Sequence, residues 1–142
     1  KKSITDSDIE SVLIRDQARH IKPQYSLKAF NANVGSLVSA MACVRLTHQD
    51  SEKVIEQVAK GDGPIDAAYS AINDIVGVKA QLESYQINSI SEGVDAQGQA
   101  LIKLSHEGKY YTGRAVSTNI IDASLMAYIN GMNQILNDNG RR

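Results

Sequence analysis

With 142 residues, 42% of them hydrophobic, the chain suffices for one compact domain, whose core must rest on Ile, Leu, Val, Ala and Tyr because it holds one Phe and no Trp. Its 15 basic and 16 acidic residues nearly cancel, to −1, and the basic ones are scattered, which argues against nucleic acid as partner. No run approaches the roughly 20 apolar residues of a membrane helix, and the lone Cys43 can make neither an internal disulfide nor a cysteine zinc site, so it reads as a small buried strand residue in a reducing cytoplasm.

The first segment, 1–23, reads as a short linker helix left from a longer protein. Thr5 or Ser7 caps it, Asp6, Asp8 and Glu10 suit the positive end of its dipole, and Ile9, Val12 and Leu13 form an apolar side. It ends near Lys22-Pro23, since the residue before proline is pushed out of the α region. The remainder, 24–142, reads as one domain.

After Pro23 the pattern alternates. Tyr25, Leu27 and Ala29 share one parity, and Asn31 to Ser36 holds a turn. Val38, Ala40, Ala42, Val44 and Leu46 then make a long strand, and Lys53 to Lys60 a third. Gly61-Asp62-Gly63-Pro64 breaks the sheet pattern, and Ile65, Ala68, Ile72 and Ile75 follow at helical spacing up to Gly77. The order then repeats. Leu82 to Ser91 reads as a strand, Asp95 to Gly98 as a turn, and Ala100, Ile102 and Leu104 as a strand. Glu107-Gly108-Lys109 makes a hairpin into Tyr110 to Ser117, and Ile121, Leu125, Tyr128, Met132 and Ile135 line a helix.

Ile65-Asp66-Ala67 opens the first helix, and Ile121-Asp122-Ala123 opens the second 56 positions later. The expected architecture is therefore α+β: two pseudo-symmetric βββα units, at 24–78 and 79–142, each with a helix on one face of an antiparallel sheet.

No catalytic constellation stands out. His20, His48 and His106 fall at a helix end, a turn and a hairpin without ligands at metal spacing, and there is no nucleophile elbow or phosphate loop. Asp66 and Asp122 suit the first turns of helices, where a carboxylate complements the dipole. Gly61-Asp62-Gly63-Pro64 is the most informative stretch. Its glycines permit close approach of a ligand to the main chain, and Pro64 fits the first helical turn, where its missing N–H costs nothing. The helix start it creates suits a carboxylate, although the same residues also serve as a plain strand-to-helix turn.

The run Gly61-Asp62-Gly63-Pro64-Ile65-Asp66-Ala67-Ala68-Tyr69, then Ala71-Ile72, resembles the regulatory domain shared by 2-isopropylmalate synthases and citramalate synthases. So do Tyr85-Gln86-Ile87, Glu92 to Gly98, and Gly113 to Asn133 with Ser117-Thr118-Asn119-Ile120-Ile121-Asp122-Ala123-Ser124. The likeness runs in order from Tyr25 to Leu136, and Lys1 to Asp6 resembles the linker after the catalytic barrel. The resemblance implies a feedback domain that binds leucine and pairs as a homodimer, with the effector near the subunit interface. The parent enzyme would condense acetyl-CoA with 2-oxoisovalerate in a metal-dependent barrel absent from this chain, so neither catalysis nor a cofactor is expected here.

Carried over by position, the effector pocket comprises Gly61, Asp62, Gly63, Ile65, Asp66, Leu82, Tyr85, Ser89, Ala96, Gly98 and Ile120. Helix-start N–H groups would hold the effector carboxylate, Asp66 its ammonium, and Ile65, Leu82 and Ile120 its side chain. Asn119 stands where many members have Asp, and Ser89 where a small apolar residue is common. Isoleucine sensing, as in citramalate synthases, and a purely structural dimerisation domain are the competing readings.

Overall fold

The computed structural model describes residues 23–35, 39–49, 53–89 and 97–140. The expected linker helix falls outside them except for Pro23, as does Ala96. Three strands, β1 (Tyr25–Asn33), β2 (Ala40–His48) and β3 (Lys53–Gly61), form an antiparallel sheet in the order β1-β2-β3, followed by helix α1 (Pro64–Val76). Strands β4 (Gln81–Ser89), β5 (Gly98–His106) and β6 (Lys109–Ser117) form a second sheet in the order β4-β5-β6, followed by helix α2 (Ile120–Gly140). The architecture is the βββα repeat that the alternation pattern called for.

The boundaries follow from local chemistry. Gly77 ends α1 in the left-handed region at φ 79°, donating its N–H to the Asn73 carbonyl at 2.8 Å. Glu107 and Gly108 both have positive φ, 51° and 79°, as a two-residue hairpin between β5 and β6 demands. One expectation is corrected in β1. A bulge between Leu27 and Ala29 shifts the strand's parity, so Leu27 and Phe30 pack against the core while Ala29 turns outward. Strand β4 carries a bulge at the matching place, between Leu82 and Ser84. A second correction concerns Cys43, which is half-buried on the face of β2 away from the helices, opposite in parity to core residues Ala42 and Val44.

The helices lie against each other. Helix α1 covers β2 and β3, α2 covers β5 and β6, and α2 also reaches across to β1. That crossing is pinned by Asn133, whose side chain accepts from the N–H groups of Gln24 (3.1 Å) and Tyr25 (3.0 Å) and donates to the Tyr25 carbonyl (3.0 Å). The core between the layers is Val44, Leu46, Ile72, Ile102, Leu104, Leu125 and their neighbours, each buried side chain contributing roughly 1.5–3 kcal/mol by leaving water.

At the helix crossing, the rings of Tyr69 and Tyr128 stack with centroids 3.9 Å apart and planes 12° from parallel. Both hydroxyls are satisfied: Tyr69 donates to the Ser124 carbonyl at 3.1 Å and Tyr128 to Asn73 Oδ1 at 2.7 Å. Burial pushes both phenols up, Tyr128 to about 12 and Tyr69 further. Folding therefore retains their protons above pH 10, where the unfolded chain loses them, so stability is whole below about pH 10 and falls as pH rises beyond it. For Tyr128 alone the loss reaches roughly 2 kcal/mol by pH 12. Chemical-denaturant titrations from pH 8 to pH 12 should show that decline, and Tyr128→Phe should flatten it; an unchanged slope in the variant would contradict this account.

Candidate effector site

The turn between β3 and α1 is built on two glycines that do different jobs. A Cβ on Gly61 would lie 2.4 Å from the Ala67 nitrogen and 2.8 Å from the Asp66 carbonyl carbon, so the end of β3 touches the backbone of the helix's first turn. At Gly63 an added Cβ meets nothing within 4 Å, and its backbone is extended, at φ −147° and ψ 176°. Gly61 therefore serves packing, and Gly63 leaves open space in front of the helix.

Gly63 is the N-cap of α1, and no side chain caps it. The first helical bond runs from the Ala67 N–H to the Gly63 carbonyl at 3.0 Å. Pro64 has no N–H, so the donors without a side-chain cap are the amides of Ile65 and Asp66. The second unit treats the same place differently. Asn119, the N-cap of α2 and the repeat counterpart of Gly63, accepts from the N–H groups of Ile121 (2.9 Å) and Asp122 (3.2 Å). Ser117 accepts from the Asn119 N–H and donates to Asp122. The two pseudo-equivalent helix starts therefore differ: that of α1 has no side-chain cap, while Asn119 takes the Ile121 and Asp122 amides of α2.

The other expected residues gather around Ser124, on α2 one turn from Ile120. The Ser124 hydroxyl gives its one proton to the Ile120 carbonyl at 2.9 Å, so in the 2.6 Å contact between Tyr85 and Ser124 the Tyr85 hydroxyl is the donor. Tyr69 donates to the Ser124 carbonyl, so it reaches the same residue as Tyr85. Gly98 lies against Ile120, since a Cβ there would come 3.3 Å from Ile120 Cγ1, and Ser89 pairs with Gly98 across the strands. Leu82 and Tyr85 share the helix-side face of β4, opposite Leu104 and Ile102.

One connected set thus runs from Ser89 through Gly98, Ile120 and Ser124 to Tyr85 and Tyr69, and Tyr69 lies on the helix whose first turn, at Asp66 and Ala67, touches Gly61. Asp62, Gly63 and Ile65 belong to the turn at its end. Leu82, Tyr85 and Ile120 remain 38%, 41% and 51% exposed although they face the helix side. Exposed apolar groups on β4 and at the start of α2, together with uncapped amides at the start of α1, are features that suit a small amphipathic ligand.

Ser124 and Tyr69 join these elements, yet neither is among the residues expected from the sequence. Their signal was their presence in the two matching helix openings, without any local sign of a role. Two concavities lie elsewhere. One, of about 480 Å³, is on the outer face of the first sheet, and one, of about 560 Å³, lies between β1 and α2. Among the described residues no group of three or more His, Cys, Asp or Glu side chains could hold a metal ion. None of the described helices is long and apolar enough to cross a membrane.

Comparison with known proteins bears on this arrangement. The model of a family described as LeuA allosteric (dimerisation) domain matches residues 3–136. The chain is 44% identical over 138 residues to a 2-isopropylmalate synthase of Heliobacterium modesticaldum, covering 97% of this chain and 26% of that relative. It is 43% identical over 139 residues to one of Carboxydothermus hydrogenoformans, covering 97% and 27%. With one of Dictyoglomus turgidum it shares 39% over 137 residues, covering 96% and 27%. The chain thus spans about a quarter of the length of the curated relatives it matches.

Proposed function

The chain belongs to the LeuA allosteric (dimerisation) domain family, and from that premise we propose that it is the feedback-regulatory part of a 2-isopropylmalate synthase, binding leucine on the shelf between α1, β4 and the start of α2 and pairing as a homodimer. The single observation that carries the reading is the contrast between the helix starts: Gly63 leaves the amides of α1 uncapped, while Asn119 uses up those of α2. An α-amino acid suits such a place. Its carboxylate takes the Ile65 and Asp66 amides, its ammonium faces the Asp66 side chain, and its alkyl group lies on Leu82, Tyr85 and Ile120.

Inhibition follows only if leucine binds two states of the whole enzyme with different affinity, since equal affinity shifts nothing. The exposed apolar shelf offers such a difference, because a neighbouring surface that closes over it strengthens binding in one state alone. The parent reaction, condensation of acetyl-CoA with 2-oxoisovalerate, belongs to the part of the relatives' length that lies beyond this chain.

Isothermal titration of the chain with leucine, isoleucine and valine in parallel tests the proposal. Saturating heat with leucine, and binding of the others weaker by roughly 1–3 kcal/mol, is the expected result. Preference for isoleucine would move the parent to the citramalate synthases. Absence of binding in folded protein would leave only a dimerising role.

A further inference from the structure

Ser124 is fully buried on α2, yet it carries a hydroxyl. A hydroxyl taken out of water costs free energy unless it is bonded, and this one is bonded twice. It donates to the Ile120 carbonyl one turn back at 2.9 Å and accepts from the Tyr85 hydroxyl at 2.6 Å. One oxygen thus joins the start of α2 to β4. The carbonyl of the same residue accepts from Tyr69 of α1 at 3.1 Å, so the three elements that border the proposed effector shelf meet at Ser124.

The internal repeat shows what the fold alone asks of this place. Phe30 pairs with Val44 in the first sheet as Tyr85 pairs with Ile102 in the second, and Leu27 pairs with Leu46 as Leu82 does with Leu104. Counted from the matching Ile-Asp-Ala openings of the helices, Ser124 corresponds to Ala68. The Tyr85 and Ser124 of the second unit are therefore Phe30 and Ala68 in the first: an aromatic ring and a small residue again, without either hydroxyl. Packing satisfies the fold there, so the hydrogen bond in the second unit answers a further need.

That need follows from where β4 stands. It is an edge strand, exposed at every residue except Ile87, whereas β1 is half-buried at Tyr25, Leu27, Phe30 and Ala32. Pairing with β5 holds one side of β4, and a strand held on one side can twist away from the helix layer. The Tyr85 hydroxyl ties it to α2. Tyr85 as a whole is 41% exposed, so its hydroxyl is anchored while part of the residue stays open to a ligand.

We propose that Ser124 is a positioning residue of the effector site: its hydroxyl holds Tyr85 of β4 at a set distance from Ile120 of α2, and that distance selects the ligand's side chain. This rests on the reading that leucine lies against Leu82, Tyr85 and Ile120, and adds what fixes the width between them. Leucine, isoleucine and valine share one carboxylate and one ammonium, so the helix start treats them alike. Discrimination falls to the apolar strip, where a loosened Tyr85 accepts each side chain about equally.

The test is isothermal titration of the chain and its Ser124→Ala, Tyr85→Phe and doubly substituted variants with leucine, isoleucine and valine. Alanine suits a helix interior better than serine, and Tyr85→Phe keeps the ring, so all three variants should fold. Either single variant should bind leucine roughly 3- to 10-fold more weakly, the contribution of one hydrogen bond, and should prefer it less over valine. The double variant should lose less than about 2-fold more than either, because both substitutions remove the same bond. A residue that only stabilised the fold would lower the midpoint of urea unfolding and weaken all three amino acids alike. That pattern would overturn the proposal, as would wild-type affinities in folded Ser124→Ala. Hydrogen exchange of the β4 amides gives a readout without ligand: both single variants should speed it, and unchanged rates would overturn the tether. If the wild-type chain binds none of the three amino acids, the leucine reading falls, and the exchange rates alone decide whether Ser124 positions β4.

Discussion

Gly113→Ala should abolish stable folding of this domain. Gly113 lies in the middle of β6, on the face covered by α2, and a Cβ there would sit 2.0 Å from the Ala127 carbonyl oxygen and 2.4 Å from the Gly131 nitrogen. Those are backbone atoms of a helix and cannot rotate aside, so the helix must lift from the sheet. Lifting it opens the contact with Leu104 and Ile102 and loosens the crossing with α1. Overpacking a core with flexible neighbours costs about 1–3 kcal/mol. Against backbone the cost should exceed that, and with total stabilities of about 5–15 kcal/mol a loss of more than roughly 4 kcal/mol leaves little cooperative fold.

Gly131→Ala is the informative comparison. It gains helix propensity of about 1 kcal/mol, and its Cβ would meet Leu104 Cδ1 at 2.9 Å, the end of a side chain that can shift. Urea unfolding of both variants checks the account. A Gly113→Ala protein as stable as wild type would show that α2 does not lie so close to β6.

The contrast between those glycines also shows which parts of the molecule a sequence can reveal. Strands and helices were legible because their signals are local: alternation in Ala40 to Leu46 and Ala100 to Leu104, the Gly77 stop, and the Glu107-Gly108 hairpin. The parity of β1 was not, because a bulge at Lys28 is set by pairing with β2, and one extra residue sends Phe30 inward where Ala29 was expected. Cys43 sat one residue from two core positions and so on the opposite face.

The candidate site divides in the same way. Gly61 to Asp66 is one continuous turn whose chemistry can be read in order. The bonds that tie it to Tyr85, through Tyr69 and Ser124, span 39 and 55 positions, and no periodicity announces a contact of that kind. Gly61 itself was read as ligand access, whereas its place against Ala67 gives it a packing role that would defeat Gly61→Ala as a binding test.

Gly63→Ala and Asp66→Ala should instead weaken leucine binding in folded protein. The added methyl at Gly63 has room and an extended backbone that alanine accepts, so stability should fall by less than about 1 kcal/mol, the difference between Gly and Ala at an N-cap. Yet that methyl stands at the N-cap, beside the Ile65 and Asp66 amides that the proposed site offers to the carboxylate. Removing the Asp66 carboxylate deletes the proposed partner of the ammonium. A hydrogen bond to a charged group contributes about 1.5–3 kcal/mol, which is roughly a 10- to 100-fold rise in Kd. Asp122→Ala is the matched control. Asp122 holds the same place in α2, but its carboxylate accepts from Ser117 and its helix amides are already taken by Asn119. Leucine titration of the three variants should find the first two weakened and the third close to wild type. If Asp122→Ala weakens binding as much as Asp66→Ala, the two helix starts are not functionally different, and the carboxylate is recognised elsewhere.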